Sequence, residues 1–332
     1  MTAKSLLVIG GSGFFGKSIL DAHGRGLLSP WEIERIIVAA RQADTLRHEY
    51  PDLITDSVEM ISTDIGTAAD LPYADYVIHA ASSTDARRYV SAPADERANI
   101  LQAIDNYCRL AARVHRSSKI VYASSGAVYG QVPPHIDQVA EDFDPGDVSE
   151  LIAYKRDYAE AKRTAEQRMA SLGEEHGISV SVARCFAFVG AYLPRDQHFA
   201  IGNFLADGLA GRPVTVNARK PVYRSYMHAD DLVRWLMTLA DGADTTCGIY
   251  NVGSNEAFTV GDVARKVAER FGVRADVPEF ETADVDRYIP SITRAQDRLG
   301  LTLTLDLDAA LDDVISRLRE DRLAPARPRK RN

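Results

Sequence analysis

A tyrosine and a lysine four residues apart lie in a stretch with helical character, in the sequence YAEAK at Tyr158–Lys162. Residues at i and i+4 share one face of a helix, so this spacing places the ammonium group near the phenol. A nearby cation favours the phenolate, and we expect it to lower the pKa of Tyr158. Such a phenol can exchange a proton with a hydroxyl or carbonyl near neutral pH, although chance Tyr/Lys pairs on solvated helices are common.

A glycine cluster, GGSGFFG at Gly10–Gly16, directly follows the apolar run SLLVI. Glycines at this spacing, between a strand and a helix, are typical of a dinucleotide pyrophosphate site. Gly10 permits the tight turn, Gly13 lets the backbone approach the pyrophosphate, and Gly16 lets the helix pack on the strand. The free N–H groups and dipole of the helix N-terminus, where Phe14 and Phe15 stand, favour the phosphates. The oxidised nicotinamide of such a cofactor would lower the pKa of Tyr158 further.

The residues after the second and third strands are expected to contact the adenosine half of the cofactor. The second strand ends in Val38-Ala39-Ala40-Arg41, with no acidic residue before Asp44. NAD sites usually carry an acid here, whereas an arginine can pair with a 2′-phosphate, so we favour NADP(H) over NAD(H). Arg41 could instead be a solvated loop residue. Asp64 and Ile65 follow the third strand, where Asp64 either accepts from the adenine amino group or shapes a turn.

Two further strand ends complete the expected site. Small residues at Ala80, Ala81 and Ser82 would let the cofactor lie against the backbone of the fourth strand. The fifth strand runs into Ser124 and Ser125, at the carboxyl edge where ligands bind in such sheets. Either serine could be an ordinary loop residue, and the glycine loop and the Tyr/Lys pair are what favour the functional interpretation.

The order of these elements predicts the fold class. Short runs rich in Val and Ile alternate with helical stretches, and most of the runs are apolar without strict alternation. This pattern is typical of parallel strands buried on both faces. We predict an α/β fold, a Rossmann-type doubly wound parallel sheet with a smaller C-terminal substrate-binding lobe. The expected division is residues 1–185 with 215–255 returning to the sheet, a lobe from 186–214 and 256–325, and a flexible tail at 326–332.

Composition excludes several classes of function. The 332 residues carry a net charge of -8, which argues against a nucleic-acid surface. The three cysteines are far apart and the eight histidines form no close pair, so no metal site is expected. The apolar segment Leu6–Ile9 is too short for a signal-peptide core or a membrane span. We therefore expect a cytoplasmic protein with no membrane partner.

Taken together, these motifs resemble the extended short-chain dehydrogenase/reductases, in the branch often called the nucleotide-sugar epimerase/dehydratase family. GGSGFFG, DYVIHAA, SSGAVYG, YAEAKRTAE, YRSYMHADDL and IYNVGS occur in that family's order along nearly the whole chain. The resemblance implies that Ser125 hydrogen-bonds the reacting oxygen, that Tyr158 is the acid–base and that Lys162 also binds the nicotinamide ribose. It further implies that Arg224 contacts the substrate's diphosphate and that Arg287 contacts a substrate phosphate or ribose. Arg224 could instead pair with Asp230 or Asp231.

Departures from the family pattern narrow the reaction. The family's 4,6-dehydratases carry an Asp–Glu pair directly after the serine or threonine, where this chain has Gly126 and Ala127. Neither residue has a proton to give, so dehydration is disfavoured. A frequent asparagine near the sugar diphosphate is replaced by Ala187.

We therefore expect an NADP(H)-dependent oxidoreductase acting on a nucleotide-linked sugar, with reduction of a 4-keto-6-deoxyhexose nucleotide as the preferred case. The main alternative is a nucleotide-sugar 4-epimerase with tightly bound NAD, and a non-catalytic dinucleotide-binding regulator is a third possibility. The resemblance also implies a homodimer built from the helices at Pro93–His115 and Leu151–Glu175. Apolar positions that could form this interface or pack on the sheet are Leu101, Ile104, Leu110, Val114, Leu151, Tyr154 and Met169.

Overall fold

The computed structural model describes residues 3–82, 86–144, 146, 148–149, 151–282 and 284–323. The predicted flexible tail at 326–332 lies outside these residues. The helices are α1 (Phe14–Gly24), α2 (Ala43–Glu49), α3 (Ala86–Ser91), α4 (Pro93–Val114), α5 (Ala153–His176), α6 (Ala200–Leu209), α7 (Ala229–Asp241), α8 (Val260–Phe271), α9 (Thr293–Leu299) and α10 (Leu307–Leu323). The strands are β1 (Lys4–Ile9), β2 (Ile33–Ala40), β3 (Val58–Ser62), β4 (Tyr76–His79), β5 (Lys119–Ser125), β6 (Ser179–Cys185), β7 (Phe188–Val189), β8 (Val214–Thr215), β9 (Val222–Arg224), β10 (Met227–His228), β11 (Gly248–Val252), β12 (Phe258–Thr259), β13 (Ala275–Asp276) and β14 (Asp286–Tyr288).

A seven-stranded parallel sheet forms the centre of the molecule, in the order β3-β2-β1-β4-β5-β6-β11. The order reverses between β1 and β4, so a crevice opens at their carboxyl ends, as in other doubly wound sheets. The predicted α/β, Rossmann-type class is confirmed, and the late strand Gly248–Val252 joins the sheet beside β6.

Alternate residues of each central strand face two different helical layers. Leu6 and Val8 of β1 pack in a core shared with α1 and α7, whereas Leu7 and Ile9 pack in a core shared with α4 and α5. The strand residues are apolar on both sides because neither face of the sheet meets water. The continuous apolar runs in the sequence therefore have a direct structural cause.

A small three-stranded sheet joins distant parts of the chain above the carboxyl edge of the main sheet. Strand β9 pairs antiparallel with β12 and parallel with β14. The register places Tyr288 opposite Arg224 and Arg287 opposite Tyr223. This pairing brings a late segment of the chain to the strand ends that the sequence predicted as the site.

The outer helices α4 and α5 pack against each other, and several of their apolar residues are buried within the chain itself. Ile104, Leu110 and Met169 are at most 1% exposed. These three belong to the core beneath the sheet, so they take the second of the two placements that the sequence left open. Leu101, Val114, Leu151 and Tyr154 remain partly exposed.

Candidate active site

The glycine loop between β1 and α1 has the geometry that a bound pyrophosphate requires. Gly10 has φ +84°, its N–H donates to the carbonyl of Ala39 at 2.8 Å, and a Cβ there would stand 2.6 Å from the Cα of Ala81. Only glycine combines this backbone conformation with so close an approach. A Cβ at Gly16 would overlap the carbonyl oxygen of Gly11, so the third glycine lets α1 begin directly against the loop.

The start of α1 offers free hydrogen-bond donors. Gly13 caps the helix with no side chain, and within the described residues no acceptor is bonded to the N–H groups of Phe14 and Phe15. A Cβ at Gly13 would meet only the carbonyl oxygen of Gly10 at 3.5 Å, so space is open in front of the loop. The side chains of Phe14 and Phe15 pack on Phe188 with centroid distances of 6.3 and 5.3 Å, which fixes the loop from behind. Open space and unpaired N–H groups suit a pyrophosphate.

Arg41 and Asp64 lie at the neighbouring strand ends. Arg41 follows β2, is exposed, and forms no hydrogen bond or ion pair with any residue the structure describes. The next acid along the chain, Asp44, accepts from the Ser62 hydroxyl at 3.0 Å. Asp64 accepts from the N–H of Gly66 at 2.9 Å, the turn-forming contact that the sequence left open as an alternative. One carboxylate oxygen of Asp64 is engaged in this way, and the Ile65 side chain is buried in the core.

The end of β4 lies beside the loop. The N–H of Ala80 donates to the carbonyl of Ile9 at 2.8 Å, which holds the two strand ends together. Ala80, Ala81 and Ser82 are all partly exposed along this edge. The hydroxyl of Ser82 lies 3.2 Å from the hydroxyl of Tyr89, a buried residue of α3. Tyr89 in turn packs edge-on against the ring of Tyr158, at 5.1 Å between centroids.

Ser125, Tyr158 and Lys162 converge at the carboxyl end of β5. Lys162 is 2% exposed, and its Nζ donates to the carbonyl of Ala123 at 2.9 Å and to the Tyr122 hydroxyl at 3.2 Å. The same Nζ lies 5.9 Å from the centroid of the Tyr158 ring. Ser125 accepts from the N–H of Ala127 at 3.1 Å, where the chain leaves β5 in a 3-10 turn.

Burial controls the ionisation of this group. Burial lowers the pKa of Lys162 to about 8, against the opposing effects of Cys185 and Glu166. Burial also raises the pKa of Tyr158, and hydrogen bonding with Ser125 and Ser82 partly offsets this rise. The expectation that Lys162 lowers the pKa of Tyr158 is therefore wrong for the chain alone. The physical reason is that desolvation of the phenolate dominates, while the Lys162 ammonium is directed to Ala123 and Tyr122.

A buried network behind the site joins α5 to the sheet. Glu166, one turn after Lys162, accepts from the Ser124 hydroxyl and pairs with Arg184 at 2.8 Å. Arg184 also donates to the Tyr129 hydroxyl at 3.0 Å, and Tyr129 donates to Asn251 at 2.7 Å. The contacts tie β5, α5, β6 and β11 together, so they fix the position of the Tyr158 helix relative to Ser125. Nothing in the local pattern of the sequence indicated this network.

Arg224 and Arg287 lie on adjacent strands of the small sheet. Arg224 pairs with Asp286 at 3.0 Å, and not with Asp230 or Asp231 as the sequence allowed. Asp230 pairs instead with Arg25. The Arg287 guanidinium lies 4.4 Å from the centroid of Tyr223 and 3.4 Å from a carboxylate oxygen of Asp137. Its buried Nε has no hydrogen-bond partner among the described residues, so it could donate to a ligand.

Tyr288 is a site residue that the sequence analysis missed. Its hydroxyl lies 3.5 Å from the carbonyl oxygen of Cys185, which pairs with Ser125 across β5 and β6. A Cβ on Gly126 would stand 2.6 Å from the same hydroxyl. The Tyr288 ring packs on Phe186 at 4.6 Å between centroids. Only the pairing of β14 with β9 brings this residue to Gly126 and Cys185, so no local motif could reveal it.

No three histidine, cysteine or acidic side chains in the described part of the chain are grouped so that they could hold a metal ion. None of the helices described is both long and apolar enough to cross a bilayer.

Comparisons with known proteins agree with this geometry. The NAD dependent epimerase/dehydratase family model matches residues 6–253. The chain is 29% identical over 299 residues to UDP-glucuronic acid decarboxylase 5 of Arabidopsis thaliana, covering 89% of this chain and 83% of that protein. Its fold is similar to that of DesIV, a dTDP-glucose 4,6-dehydratase from Streptomyces venezuelae with NAD and TYD bound, with TM-score 0.79, 19% identity and coverage of 96% and 98%. A Thermus thermophilus UDP-glucose 4-epimerase in complex with NAD gives TM-score 0.76, 23% identity and coverage of 95% and 99%.

Proposed function

The chain belongs to the NAD dependent epimerase/dehydratase family, and we propose that it is an NADP(H)-dependent reductase of a nucleotide-linked 4-keto sugar. One observation carries the proposal: Ser125, Tyr158 and Lys162 converge beside a glycine loop whose helix N-terminus has free donors. A bound nicotinamide would supply the hydride at this place. A 4-keto-6-deoxyhexose nucleotide is the preferred substrate.

The chain's own residues would hold the cofactor at three places. The N–H groups of Phe14 and Phe15 would donate to the pyrophosphate, and Lys162 would donate to the nicotinamide ribose. Arg41, exposed and unpaired within the described residues, would contact a 2′-phosphate. The engagement of Asp44 by Ser62 supports this choice, because the first acid after β2 in the sequence already has a partner.

The proton would be handled by Tyr158. The Tyr158 hydroxyl would donate to the substrate oxygen as it gains charge, and the Ser125 hydroxyl would hydrogen-bond the same oxygen. Because burial raises the pKa of Tyr158, the phenol is protonated at neutral pH, which is the form that a reduction requires. The Lys162 cation lies within the same buried space and would stabilise the phenolate that remains.

The substrate's diphosphate would lie near the small sheet. Among the described residues the buried Nε of Arg287 has no hydrogen-bond partner. Arg224 is held by Asp286 on the other face of the same strand pair, because Arg224 aligns with Tyr288 and Arg287 aligns with Tyr223. A phosphate accepts well from guanidinium groups. The names of the relatives support a UDP- or dTDP-linked sugar, since all three act on one.

The epimerase is a second candidate, because the epimerase and the dehydratase above are described with NAD bound. It would use the same Ser125, Tyr158 and Lys162, but it would consume no cofactor overall. Dehydration is less favoured because Gly126 and Ala127 carry no acid.

The deciding experiment follows absorbance of the reduced nicotinamide while the purified protein is given UDP-, dTDP-, GDP- and CDP-linked sugars, including 4-keto-6-deoxyhexoses and UDP-glucuronic acid. We expect one NADPH consumed per product with a 4-keto sugar, and a loss of about 100-fold in Tyr158→Phe. Interconversion of two 4-epimers without NADPH loss would establish the epimerase instead. Release of CO₂ from UDP-glucuronic acid would establish decarboxylation.

A further inference from the structure

The Lys162 ammonium group is held by two acceptors on β5. An ammonium group has three N–H bonds and accepts none. One N–H of Lys162 donates to the carbonyl of Ala123 at 2.9 Å, and a second donates to the Tyr122 hydroxyl at 3.2 Å. Within the described residues no third acceptor is bonded to this Nζ. Because the three N–H bonds point to the corners of a tetrahedron, two fixed partners also fix the direction of the third bond.

Tyr122 presents its hydroxyl from a ring that cannot move easily. The side chain is 2% exposed and belongs to the core that the sheet shares with α4 and α5. Its partner across the strand pair is His79 of β4, with 5.6 Å between the ring centroids. Burial lowers the pKa of His79 to about 3, so the imidazole is neutral and brings no second positive charge to Lys162.

The Tyr122 hydroxyl is a suitable acceptor for a cation. Burial raises the pKa of Tyr122 well above its ordinary value, so the phenol is neutral and its oxygen keeps lone pairs for the ammonium. The Lys162 Nζ lies 4.9 Å from the centroid of the same ring, within the range of a cation–π interaction. A phenylalanine would fill the core equally well, but it would supply only the ring and not the acceptor.

We propose that Tyr122 is a positioning residue that acts with the Ala123 carbonyl to direct the third N–H of Lys162 toward the nicotinamide ribose. The hydrogen bond to Tyr122 also keeps the ammonium beside the acid–base residue, since Nζ lies 5.9 Å from the centroid of the Tyr158 ring. The destination of the third N–H rests on the proposed function, whereas the bond between Tyr122 and Lys162 does not.

A double-mutant cycle on cofactor binding measures this role. Tyr122→Phe removes only the hydroxyl. We expect it to weaken the binding of NADPH and of NADH about fivefold each, the effect of about one hydrogen bond, because both cofactors carry the same nicotinamide ribose. In the Lys162→Met background the same change should have almost no further effect. Fluorescence titration of the four proteins with each cofactor gives the coupling.

Tyr107→Phe is the matched control for the loss of a buried phenol hydroxyl. Tyr107 is fully buried in the same core and also packs on His79, at 4.9 Å between centroids. Its hydroxyl has no hydrogen-bond partner among the residues that the structure describes. We expect Tyr107→Phe to leave the binding of both cofactors unchanged. Equal weakening by Tyr122→Phe with and without Lys162, or the same weakening by Tyr107→Phe, would overturn the proposal.

A second measurement follows Lys162 without cofactor or substrate. The protein is labelled with lysine carrying ¹³C at Cε, and the Lys162 resonance is assigned with Lys162→Met. We expect the titration midpoint of Lys162 to be about one pH unit lower in Tyr122→Phe, because a hydrogen bond that favours the charged form is lost. Tyr107→Phe should leave the midpoint unchanged. If this pattern appears but neither cofactor binds, the proposed function fails and the contact stands. A midpoint that does not respond to Tyr122→Phe rejects the positioning role.

Discussion

Lys162 is a buried cation, and its environment has a measurable cost to stability. Burial lowers its pKa to about 8, from 10.5. We expect Lys162→Met to raise the free energy of unfolding at pH 7 by about 2 kcal/mol relative to wild type. One pKa unit corresponds to about 1.4 kcal/mol, and the loss of the Lys162 hydrogen bonds offsets part of the gain. The unfolded chain binds the proton more tightly than the folded chain. The wild type therefore gains stability as pH rises from about 8 to 10.5, and the difference between the two proteins shrinks.

Urea unfolding of both proteins at pH 7, 8.5 and 9.5 checks this expectation. Lys155→Met on the same helix is the control, because Lys155 is exposed. A Lys162→Met difference that stays constant with pH would show that the ammonium is not responsible.

Arg41 is the residue that would decide between the two cofactors. We expect Arg41→Ala to weaken NADPH binding about tenfold or more and to change NADH binding less than about twofold, because one charge-assisted contact is lost. Fluorescence titration of both cofactors measures this, with Arg47→Ala, another exposed arginine, as the control. If the wild type binds NADH more tightly than NADPH, or if Arg41→Ala weakens the binding of both cofactors equally, the epimerase is favoured instead.

At the scale of elements, the position of α5 relative to β5 depends on Glu166. This carboxylate is buried and joins Ser124 to Arg184. We expect Glu166→Ala to lower the free energy of unfolding by about 3 kcal/mol, because it leaves the partly buried Arg184 without its partner. Glu160→Ala on the same helix removes a more exposed pair with Arg97 at 2.9 Å and should cost less than about 1 kcal/mol. Equal losses in thermal or chemical unfolding would contradict the role of the network.

The elements of the sheet were predictable because their signal is local. The apolar runs rich in Val and Ile correspond to β1 through β6 of the structure. Buried parallel strands give continuous apolar runs, and glycines mark the turn into α1. The short helix α2 was not predicted, since seven residues with few apolar positions carry little periodicity.

The rest of the site could not be predicted, because it depends on contacts between distant segments. Tyr288 reaches the space beside Gly126 and Cys185 only through the pairing of β14 with β9, and Arg224 meets Asp286 in the same way. Residue types alone do not specify such pairing. The pKa of Tyr158 was predicted in the wrong direction for a related reason: the spacing to Lys162 is visible in the sequence, but the burial that dominates is not.

At the scale of the whole molecule, we propose that two copies associate through the outer faces of α4 and α5, which would form a symmetric four-helix interface. Leu101 on α4 is only partly buried in the chain, and Ile152 before α5 is 56% exposed. We expect light scattering at micromolar concentration to give about twice 36.4 kDa for the wild type. Leu101→Glu should give the single-chain mass, because a charge would be buried at the interface. Tyr73→Glu, at an exposed apolar residue preceding β4, should remain a dimer. A wild-type monomer at this concentration, or a Leu101→Glu dimer of unchanged affinity, would reject this interface.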